Sequence, residues 1–148
     1  MTHRILLVCL GNICRSPTAE AVTRAKARLR GIEINIDSAG TGDWHIGKPP
    51  YGPMQVAARA QGYEMSDLRA RQVRASDAQD FDLVIAMDED NRRDLAHLNR
   101  PVVLFTDYAA ASAATEVPDP YFTRDFDGAL DLIETCADGL LDALEQRR

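Results

Sequence analysis

Apolar residues recur along this chain in two rhythms. Short apolar runs stand at residues 4–8, 81–87 and 101–105, and residues 32–37 alternate apolar with polar. Runs of that length predict strands, and unbroken apolar character predicts burial on both faces. The segments between them are longer and polar-rich. Residues 17–30 predict a helix with Pro17 in its first turn, where the missing N–H breaks no hydrogen bond. Residues 54–61 predict a short helix stopped by Gly62, and residues 88–98 a helix with acids in its opening turn. Ser76 and Gln79 have capping-box spacing and predict a capped turn. From about Asp125 a last helix carries Phe126, Leu130, Ile133, Ala137, Leu140, Leu141 and Leu144 on one stripe. Residues 42–53 and 106–124 keep neither rhythm and read as long irregular segments. Strands alternating with helices predict an α/β fold around a four-stranded parallel sheet with right-handed crossovers. Ligands of such sheets bind beyond the carboxyl ends of the strands.

The first strand runs straight into Cys9-Leu10-Gly11-Asn12-Ile13-Cys14-Arg15-Ser16 and then into the first helix. A small loop at a strand-to-helix turn can surround a tetrahedral oxyanion with backbone N–H groups, here those of Leu10 to Ser16. Gly11 and Asn12 are the residue types that best take the backbone angles of such a nest. Arg15 can grip two oxygens at once. Cys9 then stands behind the central atom, in an electropositive setting that favours a thiolate nucleophile. Ser16 offers a hydroxyl to the sulfur, and Asn12 and Ser38 can brace the loop. The chemistry that follows is phosphate-ester hydrolysis through a phosphocysteine.

A departing oxygen also needs a proton. Asp119 lies between Pro118 and Pro120, which restrict its loop, and beside Tyr121 and Phe122. It is the candidate acid. Trp44 and Tyr121, one in each irregular segment, are either lone surface aromatics or walls for an aromatic substrate ring. Cys14 is either a filler beneath the turn or a resolving thiol that protects Cys9 as a disulfide. Cys136 falls near the apolar stripe of the last helix and reads as a core thiol.

Composition narrows the class. The chain has 148 residues, read as one domain over 1–148, and its formal net charge is −6. That balance argues against nucleic acid or an anionic membrane as partner. Three cysteines build no disulfide framework, and His3, His45 and His97 are too scattered to form a metal site. No stretch reaches membrane-spanning length and the N-terminal apolar run is too short for a signal peptide, so a cytoplasmic location is expected.

The loop motif through Pro17, together with Asp37-Ser38-Ala39-Gly40-Thr41, Arg69-Ala70-Arg71-Gln72, Ala86-Met87-Asp88 and Pro118-Asp119-Pro120-Tyr121, resembles the low-molecular-weight protein tyrosine phosphatase family over nearly the whole chain. The resemblance implies a three-layer flavodoxin-like fold with strand order 2-1-3-4 and helices on both faces. It implies a two-step mechanism without metal or other cofactor. Cys9 attacks phosphotyrosine, Asp119 protonates the phenol and later activates water, and Arg15 steadies the transition state. The expected partner is a phosphotyrosine-bearing protein, met by a chain that is monomeric or only weakly self-associating. Leu68 stands where many relatives carry a histidine that supports Asn12, and Phe122 where many have a second tyrosine. Arsenate reduction, phosphoarginine hydrolysis and non-catalytic phosphoprotein sensing are the rival readings. They are countered by the lack of further suitably placed cysteines, by Ile13, and by Asp119 respectively.

Overall fold

The computed structural model describes residues 2–110 and 112–146. Four parallel strands form one sheet in the order β2-β1-β3-β4: β1 His3–Cys9, β2 Ile34–Gly40, β3 Leu83–Ala86 and β4 Val103–Leu104. The expected α/β class and the strand order both hold. In β1 every residue from Ile5 to Val8 is fully buried, as a central strand covered on both faces requires. Ile5 and Leu7 join Ile36 and Ile85 in the larger core. Leu6 and Val8 face the opposite way, with Ala39, Val84 and Ala86.

The larger core is closed by α1 (Arg15–Arg30), by α2 (Gly52–Ala60) and by α6 (Phe126–Gln146). The predicted stripe of the last helix is its buried face: Leu130, Ile133, Ala137, Leu140, Leu141 and Leu144 are all in the core, with Cys136 beside them. Burial pushes the Cys136 thiol up to about 12, which fits the core reading. The second face is covered around α3 (Asp77–Asp80) and α4 (Glu89–Asp94), where Ala78, Leu95 and Leu98 pack on the sheet.

Several boundaries differ from those predicted. Strand β2 continues to Gly40, past the predicted end at residue 37, so Ser38 lies within the sheet opposite Leu7. The helix predicted over 88–98 breaks at Leu95 into α4 and a 3₁₀ turn, Ala96–Leu98. The second irregular segment holds a 3₁₀ turn, Phe105–Tyr108, and a single helical turn, α5 (Pro120–Thr123). The capping box at Ser76 does not form. Ser76 makes no side-chain cap. Its neighbour Asp77 is buried instead and receives both Nη atoms of Arg71 at 3.0 and 3.1 Å, with the Arg74 amide at 2.9 Å. A charged bidentate pair outcompetes a neutral hydroxyl cap.

Gly139 marks the closest approach of α6 to the Phe105–Tyr108 turn: a Cβ there would lie 1.8 Å from the Tyr108 carbonyl oxygen. Exchanging a mid-helix glycine for alanine ordinarily stabilises by about 1 kcal/mol. Here Gly139→Ala should instead lower stability by roughly 1–3 kcal/mol, the usual cost of forcing atoms into a packed core. Urea unfolding of the two proteins checks the sign.

Candidate active site

Strand β1 delivers Cys9 to the carboxyl edge of the sheet and α1 begins at Arg15, so the intervening loop turns over the sheet edge. The turn needs one left-handed residue, and that residue is Asn12, with φ 56°. Gly11 is not in that region, contrary to its expected role. It makes room instead, because a Cβ at Gly11 would stand 2.9 Å from the ring of His45.

Behind the loop runs a buried relay of hydrogen bonds. Cys9 Sγ lies 2.9 Å from Ser16 Oγ and receives the Asn12 amide at 3.3 Å. Asn12 Nδ2 donates to Ser16 Oγ at 2.8 Å and to Ser38 Oγ at 2.9 Å. Ser38 Oγ donates to Glu20 Oε1 at 2.7 Å. Each hydroxyl has one proton. Ser38 gives its proton to Glu20 and accepts from Asn12, while Ser16, also accepting from Asn12, has two acceptors in reach, the sulfur at 2.9 Å and the Ala39 carbonyl at 3.4 Å, of which the sulfur is the nearer. The relay therefore brings a hydroxyl and a backbone amide to Sγ. Asn12 Oδ1 is satisfied by the backbone amide of Arg71 at 3.0 Å. Support for Asn12 thus comes from a main-chain donor, while Leu68 packs against Ala21, Ala58 and Met65.

Arg15 is only 3% exposed. Its Nη1 donates to Asp88 Oδ2 at 2.7 Å and to the Val117 carbonyl at 3.0 Å, and its Nη2 lies 3.5 Å from Asp119 Oδ2. Burial opposes the charge, but Cys9, Asp88 and Asp119 outweigh it, and the guanidinium pKa stands above its ordinary value. Asp88 is itself fixed, because it caps α4 by accepting the Asn91 amide at 2.7 Å. With Nη1 committed to Asp88 and Val117, Nε and Nη2 are the donors left to meet an oxyanion.

Asp119 caps α5, accepting the Tyr121 amide at 3.0 Å on Oδ1. Its segment is tied to the sheet by Val117, whose amide donates to the Met87 carbonyl at 2.9 Å. At the other end Arg124, at φ 63°, donates to the Tyr51 hydroxyl at 2.8 Å. Tyr51 in turn donates its amide to the Ile13 carbonyl at 2.7 Å and packs against Tyr121, ring centroids 5.2 Å apart. The Asp119 segment and the loop are thereby joined.

These parts enclose a pocket of about 120 Å³. Cys9, Leu10, Gly11, Ile13, Cys14 and Arg15 form its base, and Asp119, Trp44 and Tyr121 its walls. Asn12, Ser16 and Ser38 are not in the lining; they are buried behind it. Trp44 is 64% exposed and Tyr121 44%, so both present ring surface at the rim. Cys14 is buried in the pocket wall, where desolvation and the neighbouring Cys9 push its thiol up, keeping it protonated. The structure adds His45 and Phe122 to the walls and Asp88, Glu20 and Arg71 to the support. Glu20 lies one helical turn beyond Ser16 on α1, but its partner is Ser38 on β2, which no local spacing reveals.

The chain matches the family described as low molecular weight phosphotyrosine protein phosphatase over residues 4–148. It belongs to that family. The low molecular weight protein-tyrosine-phosphatase YfkJ of Bacillus subtilis is 41% identical over 155 residues, 97% of each chain. The crystal structure of YfkJ superposes with a TM-score of 0.95, covering 100% of this chain and 98% of that one, at 40% identity. A protein tyrosine phosphatase from Entamoeba histolytica, with Hepes in its active site, superposes with a TM-score of 0.91 at 34% identity, covering 97% of each chain. This phosphatase accordingly has the sheet order and the helical layers of its relatives. Among the described residues no helix is long and apolar enough to cross a membrane.

Asn12→Ala removes the donors to Ser16 and Ser38 and the acceptor for the Arg71 amide. Leaving such buried groups unpaired should cost about 1–3 kcal/mol. The urea midpoint should fall with the slope unchanged.

Proposed function

We propose that the chain hydrolyses phosphotyrosine on protein substrates, and small aryl phosphates, in two steps. The observation that supports this best is that Cys9, Arg15 and Asp119 wall one pocket, with an apolar and aromatic rim. Loop N–H groups and the free Arg15 donors hold the phosphoryl oxygens. Cys9 Sγ attacks phosphorus as the bond to the phenol oxygen breaks, and Asp119, entering as the acid, gives that oxygen its proton. The Asp119 carboxylate then takes a proton from water, which attacks phosphorus. The P–S bond breaks with its electron pair left on Sγ, and the thiolate so re-formed is met by the Ser16 hydroxyl and the Asn12 amide. Arg15 and the loop donors stabilise the charge on the equatorial oxygens in both steps.

Ile13 in the pocket wall favours a phenyl ring over a guanidinium, which places phosphotyrosine ahead of phosphoarginine. Disulfide relay chemistry of the arsenate reductase kind has no third cysteine here, since Cys136 is buried in α6 and is absent from the pocket. Cys14 is the candidate redox partner. Peroxide would convert the Cys9 thiolate to a sulfenic acid, and condensation with the Cys14 thiol would release water and form the disulfide. A cytoplasmic setting suits three free cysteines.

Cys9→Ser should abolish release of phenol from aryl phosphates in metal-free buffer, and an active variant would overturn the mechanism. Asp119→Ala should lose roughly two orders of magnitude with phenyl phosphate and much less with acidic leaving groups. A uniform loss across leaving groups would remove Asp119 as the acid. After mild peroxide and then reductant, wild type should recover activity and Cys14→Ala should not; equal recovery would discard the disulfide.

A further inference from the structure

A second cleft, of about 450 Å³, opens beside the catalytic pocket along α4. Leu10, Arg15, Asp119 and Phe122 belong to the walls of both. The remaining lining is Asp88, Asp90, Asn91, Arg93 and Asp94. Four carboxylates thus face two guanidiniums, and both guanidiniums are already engaged: Arg15 with Asp88 and Asp119, Arg93 with Asp90. Asp94 is exposed and has no ion-pair partner among the described residues.

Asn91 supplies an independent sign. Its side chain is 1% exposed, and its Oδ1 has no hydrogen-bond partner. A buried acceptor without a donor costs about 1–3 kcal/mol. This wall of the cleft lacks a donor, and its charge is short of a cation. One kind of group answers both needs, a positive charge that carries N–H bonds. Among the described residues no three carboxylates are placed to share a metal ion. An arginine guanidinium fits best, since its planar fork can donate to an amide oxygen and a carboxylate together.

We propose that this cleft is a substrate subsite for a basic side chain, arginine above all, that lies close in sequence to the phosphotyrosine, with Asn91 and Asp94 receiving it. The inference rests on the phosphotyrosine reading and deepens it. It also gives the net charge of −6 a use, because a negative surface beside a local phosphate cradle draws in basic segments.

Three peptides of equal length, each with a central phosphotyrosine flanked on both sides by arginine, glutamine or glutamate, test the subsite. At low ionic strength kcat/KM should be about fivefold or more higher for the arginine peptide than for the glutamate peptide, carried mainly by KM. The ratio should shrink toward one in about 0.5 M salt. Asp94→Asn should weaken the preference and Asp94→Lys erase it, while hydrolysis of free phosphotyrosine stays within about twofold for both. Equal rates for the arginine and glutamate peptides, or a preference that survives Asp94→Lys, would overturn the subsite and leave the phosphatase reading standing. Failure of the wild type to hydrolyse free phosphotyrosine at all would sink both.

Discussion

The sulfur of Cys9 stands at the edge of an apolar sheet, and a buried relay of hydrogen bonds that converges on it shapes the rest of the loop. Glu20 sits buried on α1 and accepts the hydroxyl proton of Ser38, Asn12 donates to both Ser38 and Ser16, and Ser16 Oγ lies nearer to Cys9 Sγ, at 2.9 Å, than to its other acceptor, the Ala39 carbonyl, at 3.4 Å. The loop's shape depends on the same residue. Asn12 alone takes the left-handed conformation that turns the chain from β1 into α1, and its side chain is locked on both ends. Buried polar networks stabilise only when every member is paired. Along this relay every polar side-chain atom has a partner.

Arg15 links that loop to the other half of the molecule. Its guanidinium spans from the start of α1 to Asp88, the cap of α4, and to Val117 and Asp119 in the late segment. A buried cation needs paired carboxylates, and here the pairs come from elements far apart in sequence. Arg15 thereby joins the Cys9 loop to Asp88 and Asp119, and its Nε and Nη2 are not committed to Asp88 and Val117. The same carboxylates form one side of the acidic cleft along α4. The pocket and the cleft thus share Arg15 and Asp119.

Much of this could be read before any fold was seen. Three apolar runs and one alternating segment gave the four strands, and Cys9, Arg15, Ser16 and Asp119 pointed to a chemistry through their residue types and spacing. The positions that escaped detection share a property: each acts through a partner distant in the chain. Asp88 read as an acid opening a helix, yet it also anchors Arg15 across 73 positions. The Arg71 amide supports Asn12 from 59 positions away, and no side-chain type announces a main-chain donor. Ser76 and Gln79 had capping-box spacing, but Arg71 folded onto Asp77 and decided that turn instead.

The sequence by itself determined the local events: where strands and helices form, which residue ends β1, which types line the loop, and that an acid stands between two prolines. These follow from hydrophobic period, backbone freedom and side-chain chemistry, which act over a few residues. Only the tertiary structure decided which groups meet. It put Ser38 inside the sheet beneath Asn12, set Gly11 against His45, and ran an acidic cleft holding an unpaired Asn91 oxygen beside the phosphate pocket. Those outcomes depend on strand order and packing, which bring together residues that no local pattern relates.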